Sequence, residues 1–208
     1  MEFWFNTELP TEQVAQQLLG CLLIKETNEG ITSGWIVETE AYVGEFDEAA
    51  HSFGLRKTPR LKAMYQPAGT NYIYHMHTHT MLNVVAKEAG NPQGILIRAI
   101  EPFSGVELME EGRNMSGINV TNGPGKLTKA MGITRDDYGT SIDEAPLYLS
   151  TQQRRIPKEI IATPRIGIPN KGKWTDEPLR FIVAGNPYVS RKKGPVDVDF
   201  GWQQKKEK

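Results

Sequence analysis

The sequence predicts a single mixed α+β domain spanning residues 1–208, built from antiparallel hairpins with short helices around them. Two observations carry this. Runs rich in β-branched and aromatic residues recur along the chain, bounded by Gly, Pro, Asn and Asp. No repeat, low-complexity tract or long Pro/Gly/Ser linker interrupts the 208 residues, a length that one sizeable core accommodates.

Thr11-Glu12-Gln13 reads as a helix start, with Val14, Leu18 and Leu19 on one face. Residues 21–26 and 34–42 read as strands. Arg56–Met64 is a basic helix or loop, broken by Pro59 and ended near Pro67-Ala68-Gly69-Thr70. Asn71–Val85 is β-rich, with alternation through Tyr72-Ile73-Tyr74. Gly94–Ile100 is an apolar strand interrupted by one charge, Arg98. Pro102–Arg113 reads as helical. Asn122-Gly123-Pro124-Gly125-Lys126-Leu127 reads as a helix N-terminus, with Pro near its first position and glycines leaving backbone N–H groups open. Ile160–Ile168 and Leu179–Gly185 read as late strands.

Composition narrows the class. Hydrophobic residues make up 38% and charged residues 24%, as in an ordinary soluble globular protein. The single cysteine, Cys21, excludes an internal disulfide framework and a cysteine-rich zinc site. It lies in an apolar run too short to span a membrane, and no signal peptide is visible, so a cytoplasmic location is expected. The net charge of −1 hides an asymmetry: residues 1–150 carry 11 Lys/Arg against 19 Asp/Glu, and residues 151–208 carry 13 against 6. Arg56-Lys57-Thr58-Pro59-Arg60-Leu61-Lys62 forms a further basic patch. Such patches can hold a phosphate backbone on a near-neutral protein. For Lys205–Lys208 a solvated tail is the better expectation.

Three constellations could carry chemistry. The first is Val37-Glu38-Thr39-Glu40-Ala41-Tyr42-Val43, continuing through Asp47-Glu48-Ala49-Ala50-His51-Ser52. On a strand, Glu38, Glu40 and Tyr42 share one face, and two like charges there weaken the sheet unless they serve acid/base work. A solvated edge is the bland alternative. Arg98, alone in an apolar strand, needs an anion, and Glu38 or Glu40 is the natural partner. That contact could serve catalysis or be a structural ion pair. The second is His75-x-His77-x-His79, which on one uninterrupted strand face would suit Zn²⁺ and a metal-dependent hydrolase. An exposed hairpin is its alternative. The third is Tyr42, His51, Tyr72 and Tyr74, whose rings could sandwich a heterocycle or form plain core.

Taken together, these residues strongly resemble the alkyladenine (3-methyladenine) DNA glycosylase family. The resemblance starts in Val37-Glu38-Thr39-Glu40-Ala41-Tyr42, continuing to Asp47-Glu48-Ala49-Ala50-His51-Ser52. It runs on through Thr58-Pro59-Arg60, Pro67-Ala68-Gly69-Thr70, Tyr72-Ile73-Tyr74, Leu82-Asn83 and Leu96-Ile97-Arg98-Ala99-Ile100-Glu101-Pro102. It continues at Asn122–Leu127, Arg165-Ile166-Gly167 and Pro178-Leu179-Arg180-Phe181. It covers residues 6–190 in order. The resemblance implies one mixed α/β domain with a curved antiparallel sheet, surrounding helices and a protruding β-hairpin. It implies a monofunctional enzyme that uses water and no metal or other cofactor. Double-stranded DNA containing damaged purines is the implied partner. A monomer, no membrane and, in a bacterium, association with the nucleoid are expected.

Residue by residue, the resemblance makes Glu40 the water-activating base, Arg98 the arginine that helps place that water, and the Ile166 carbonyl a third water ligand. Glu38 takes a supporting role. Tyr42, His51 and Tyr74 enclose the extruded base, backbone near Ala49 reads the purine edge, and Asn83 disfavours the exocyclic amine of guanine. Arg56, Arg60 and Lys126 are expected against DNA. The hairpin tip, His75-Met76-His77-Thr78, departs from the family by being one residue shorter. Counting from Tyr74 puts His77 at the inserted position, and counting back from Asn83 puts Met76 there.

Overall fold

The structure, a computed structural model, describes residues 2–204; the Lys205–Lys208 tail lies outside them. Helix α1 (Thr11–Gln17) buries Val14 and Ala15 and leads into β1 (Leu22–Thr27) and the long β2 (Gly30–Tyr42). The hairpin β3 (Asn71–Met76) and β4 (His79–Val85) follows a 3-10 helix at Pro59–Tyr65. Then come β5 (Gly94–Ser104), α2 (Val106–Arg113), α3 (Pro124–Met131), β6 (Leu147–Ser150), β7 (Ile160–Thr163) and β8 (Arg180–Val183). All strand pairs are antiparallel in one eight-stranded sheet, ordered β3-β4-β5-β2-β1-β6, with β8 also against β2 and β7 against β8. The mixed α+β expectation is met.

The differences from the sequence reading have local causes. β2 begins at Gly30 rather than residue 34, because Thr27 and Gly30 close a tight turn that pairs it with β1 from the outset. Pro102 does not start a helix: β5 continues past it to Ser104, and Gly105 at φ 66 turns the chain into α2. β7 stops at Thr163, ahead of Pro164, so the Ile160–Ile168 strand is shortened to its first four residues. β6 was not anticipated from Leu147–Ser150, a four-residue edge pairing with β1.

Strand alternation splits the sheet into two environments. Ile73, Leu82, Val84, Ile95, Ile97 and Ala99 enter the main core with α1, α2 and α3 residues. Their neighbours Tyr72, Tyr74, Met81, Val85 and Leu96 build a smaller cluster on the other side, with Leu61 and Met64. One cross-strand row therefore sets Tyr72, Asn83, Leu96, Glu40 and Arg180 beside one another. Cysteine 21 is buried in the main core, and burial pushes its thiol up to about 12, as an inert structural residue requires.

The α3 N-terminus is clamped to the hairpin. Thr128 Oγ donates to Thr80 O at 2.8 Å, and a Cβ at Gly125 would stand 2.7 Å from His79 Cβ. Gly125→Ala is expected to lower stability by about 1–3 kcal/mol through that clash, outweighing a helix-propensity gain of up to about 1 kcal/mol. An unchanged or raised Tm would reject the close approach.

Candidate active site

β2 is a central strand, not an edge. Glu38 and Glu40 are wholly shielded from solvent, which disposes of the solvated-edge reading. Between β2 and β5 the pairing steps from Ile36–Ile100 to Glu38–Ala99 and then to Thr39–Ile97, leaving Arg98 without an opposed residue. Such a bulge re-aims a side chain. Arg98 reaches both carboxylates: Nε lies 2.6 Å from Glu38 Oε1 and Nη1 lies 3.2 Å from Glu40 Oε2.

The two acids have different surroundings. Glu38 Oε1 also accepts from Arg180 Nε at 2.7 Å and Ser190 Oγ at 2.8 Å, and Oε2 accepts from the Ser190 amide at 2.7 Å. Burial alone would raise the pKa of Glu38, but the Arg98 and Arg180 guanidinium groups outweigh it and hold the carboxyl below its ordinary value. Its acceptor positions are taken up by fixed donors, so Glu38 is a strut for Arg98. Glu40 accepts from the Ile166 amide at 2.7 Å and from Tyr42 Oη at 2.9 Å, besides its contact with Arg98. Tyr42 is pushed well above the ordinary phenol value by burial and by the Glu40 charge, so its hydroxyl remains a donor.

Tyr42, Arg98 and Ile166, the three residues that hold Glu40, all line one cavity of about 290 Å³. Its walls also include His51, Tyr72, Tyr74, Asn83, Ala49 and Met76. Small-molecule sites run from about 300 Å³ upward, so this one suits a single flat heterocycle. Tyr72 and Tyr74 stack with centroids 5.5 Å apart, and His51 stands edge-on to Tyr74 at 4.6 Å. His51 Nδ1 lies 3.1 Å from Tyr72 Oη. Burial, with the Arg60 and Arg56 charges nearby, brings the His51 imidazole down to about 4, so at neutral pH it is an uncharged wall.

That displacement has a stability consequence. A histidine of about 4 when folded, against about 6.5 when unfolded, contributes fully above pH 6.5 and loses that contribution as the pH falls towards 4. About 3 kcal/mol is expected to disappear across that window. Urea unfolding of wild type and His51→Phe at pH 7, 6 and 5 checks this. The stability gap should close on acidification, and a constant gap would mean that the imidazole titrates normally.

Sequence reasoning missed the residue that ties this site together. Arg165 is fully buried and grips Asp47 bidentately, Nη1–Oδ2 at 2.6 Å and Nη2–Oδ1 at 2.9 Å. It also donates to Ala41 O at 3.0 Å, and its guanidinium lies 4.7 Å from the Tyr42 ring centroid. Asp47 in turn accepts from the Val43 and Ala49 amides at 3.2 and 3.0 Å. One ion pair thus fixes the loop bearing Ala49 and His51 to the loop bearing Ile166. Asp47 was one acid in an acidic run and Arg165 one cation in a basic half, so nothing in the sequence paired them.

The remaining expected residues fall as follows. Asn83 is buried and donates Nδ2 to Tyr72 O at 3.3 Å. Arg56 and Arg60 are exposed and do not line the cavity, although the Arg60 guanidinium lies 5.8 Å from the Tyr74 ring centroid. Lys126 is half-buried and held by Asn122 Oδ1 at 2.7 Å, so it is less free for a partner than its sequence suggests. The three-histidine strand is overturned. His75 lies in β3 one residue before its end at Met76, His79 begins β4, and His77 sits in the turn at φ 54, so the imidazoles do not share an uninterrupted strand face. Among the described residues no three His, Cys, Asp or Glu side chains converge as a metal site would require. Met76 is exposed at the hairpin tip and lines the cavity, whereas His77 is not among the lining residues.

The family model described as Methylpurine-DNA glycosylase (MPG) matches residues 4–187. A protein of Enterococcus faecalis named "Putative 3-methyladenine DNA glycosylase" is 58% identical over 202 residues, 96% of this chain and 88% of that protein. One of the same name from Bacillus subtilis is 57% identical over 180 residues, 86% of this chain and 91% of the relative. Another, from Staphylococcus haemolyticus, is 47% identical over 196 residues, 93% and 97% of the two chains. No helix among the described residues is long and apolar enough to cross a membrane.

Proposed function

We propose, on the premise that this chain belongs to the methylpurine-DNA glycosylase family, that it extrudes alkylated or deaminated purines from duplex DNA and hydrolyses their N-glycosyl bond with a water activated by Glu40. Members of the family are DNA glycosylases. The observation that carries it is Glu40, held by Arg98, Tyr42 and the Ile166 amide, all three of which line an aromatic cavity of one-heterocycle size.

The chemistry follows from that arrangement. A stacked base exposes no path to its glycosidic bond, so the nucleotide must swing out, at a cost of a few kcal/mol that a poorly paired lesion reduces. The Tyr72 and Tyr74 faces and the His51 edge receive the base. A purine alkylated at N3 or N7 is cationic, and an aromatic wall favours it by roughly 0.5–2 kcal/mol. Asn83, immobilised on Tyr72 O, borders the purine edge, where an extra exocyclic amine would meet it. As the glycosidic bond breaks, its electron pair leaves with the base and C1′ becomes cationic. The Glu40 carboxylate offsets that charge and takes a proton as water adds to C1′. Arg98 keeps the carboxylate oriented, and Glu38, Arg180 and Ser190 keep Arg98 oriented. The Ile166 carbonyl is assigned as a further ligand of the water.

Incubation of the protein with duplexes carrying 3-methyladenine, 7-methylguanine or hypoxanthine should produce abasic sites. Failure on all three would end this reading. Met76 is assigned as the side chain that fills the gap left by the extruded nucleotide, because it lies at the hairpin tip and borders the cavity. With 2-aminopurine beside the lesion, Met76→Ala should abolish most of the fluorescence rise and His77→Ala should leave it largely intact. The reverse order would move the wedge to His77.

A further inference from the structure

A second cavity, of about 570 Å³, lies beyond the loop that carries Ile166. Ile166 belongs to its wall as well as to the base pocket, so the two spaces share one partition. Its floor is apolar, with Ile161, Ile182, Val183 and Val189. Its lining holds four cations, Arg180, Arg191, Lys192 and Lys193, and no carboxylate. Arg180 is consumed by Glu38, and Lys192 Nζ is bonded to the Gly194 and Pro195 carbonyls at 2.6 Å each. Arg191 and Lys193 are exposed, and among the described residues neither forms an ion pair. Arg191 is also held at φ 48, a conformation that costs a non-glycine residue energy and concentrates at functional positions.

We propose that this groove is where the DNA strand continues past the base pocket, with two of its phosphates on Arg191 and Lys193. This rests on the reading under Proposed function and adds a contact to it. A polyanion is the occupant that the charge of the lining selects, and the shared Ile166 wall sets the groove directly beside the site that must receive the extruded nucleotide. The position also bears on catalysis. Arg191 directly follows Ser190, whose amide and Oγ hold Glu38 at 2.7 and 2.8 Å and whose carbonyl accepts from Arg180 at 2.9 Å. A phosphate seated on Arg191 therefore steadies the segment that positions Arg98.

The test is the salt dependence of binding, measured on one undamaged duplex and on the same duplex carrying hypoxanthine. Each phosphate contact contributes about 0.9 to the slope of log K against log salt. Arg191→Gly keeps the left-handed backbone at no steric cost, and Lys193→Ala removes the second cation. Each should reduce the slope by about 0.9 on both duplexes, and the double variant by about 1.8. Arg191→Lys should retain the wild-type slope. Lys129→Ala, which removes a positive charge from the exposed side of α3, should leave it unaltered. An unchanged slope in the Arg191 and Lys193 variants, or an equal drop in Lys129→Ala, would overturn the proposal. Because the readout is binding alone, absence of base release by wild type would sink the proposed function without touching this result.

Discussion

Glu40→Gln should bind a hypoxanthine duplex and release base at least about 10²–10⁴-fold more slowly than wild type in single turnover, the range a positioned base contributes. The substitution keeps the shape and removes the proton acceptor. It also has a structural cost that must be separated from the chemical one. Glu40 accepts the Ile166 amide on Oε1 and Tyr42 Oη on Oε2, and the Arg98 guanidinium stands 3.2 Å from Oε2. A carboxamide can present its oxygen to one side only, so its NH₂ must face a donor. That mismatch costs about 1–3 kcal/mol and should appear as a lowered Tm. A variant that melts early yet still raises the fluorescence of 2-aminopurine beside the lesion and fails to release base has lost chemistry, not fold. A variant that excises at the wild-type rate would remove Glu40 from the reaction altogether.

How much of this site was legible in the sequence depended on how local each piece is. Period-2 alternation put Glu38, Glu40 and Tyr42 on one face, and the structure keeps them there. A lone charge in Gly94–Ile100 announced that Arg98 needed an anion. It contacts both candidates, because a bulge that no residue pattern signals leaves it unopposed over the strand. The three-histidine reading failed because it needed one continuous strand, and a two-residue turn between Met76 and His79 breaks it. By its residues Pro102 reads as the start of a helix. It is instead paired with Gly34, where the two registers shift, and a proline is tolerated at such an irregularity. Contacts that join distant segments left no trace: Asp47 and Arg165 lie 118 residues apart, and Arg180 and Glu38 lie 142 apart.

The Asp47–Arg165 pair is where the largest loss of stability is expected. Both side chains are completely buried. Asp47→Ala strands a guanidinium in the interior and also deprives the Val43 and Ala49 amides of their acceptor. Breaking one partner of a buried pair costs about 3–5 kcal/mol, a large share of the ~5–15 kcal/mol that holds a domain folded. Arg165→Met should cost a comparable amount, since it leaves the carboxylate with two amide donors and removes the cation from the Tyr42 ring. The double variant Asp47→Ala, Arg165→Met buries no uncompensated charge, so its loss should fall below the sum of the singles by about 0.5–3 kcal/mol. Stability and excision should then part company. The double variant is expected to fold, yet with Ala49 and His51 no longer tied to Ile166 its excision rate should stay depressed while duplex binding, governed by phosphate contacts elsewhere, changes little. Recovery of the wild-type excision rate along with the fold would reduce the pair to a stabilising contact. A double variant as unstable as the sum of its parts would mean that the two side chains act independently, against the bidentate geometry at 2.6 and 2.9 Å.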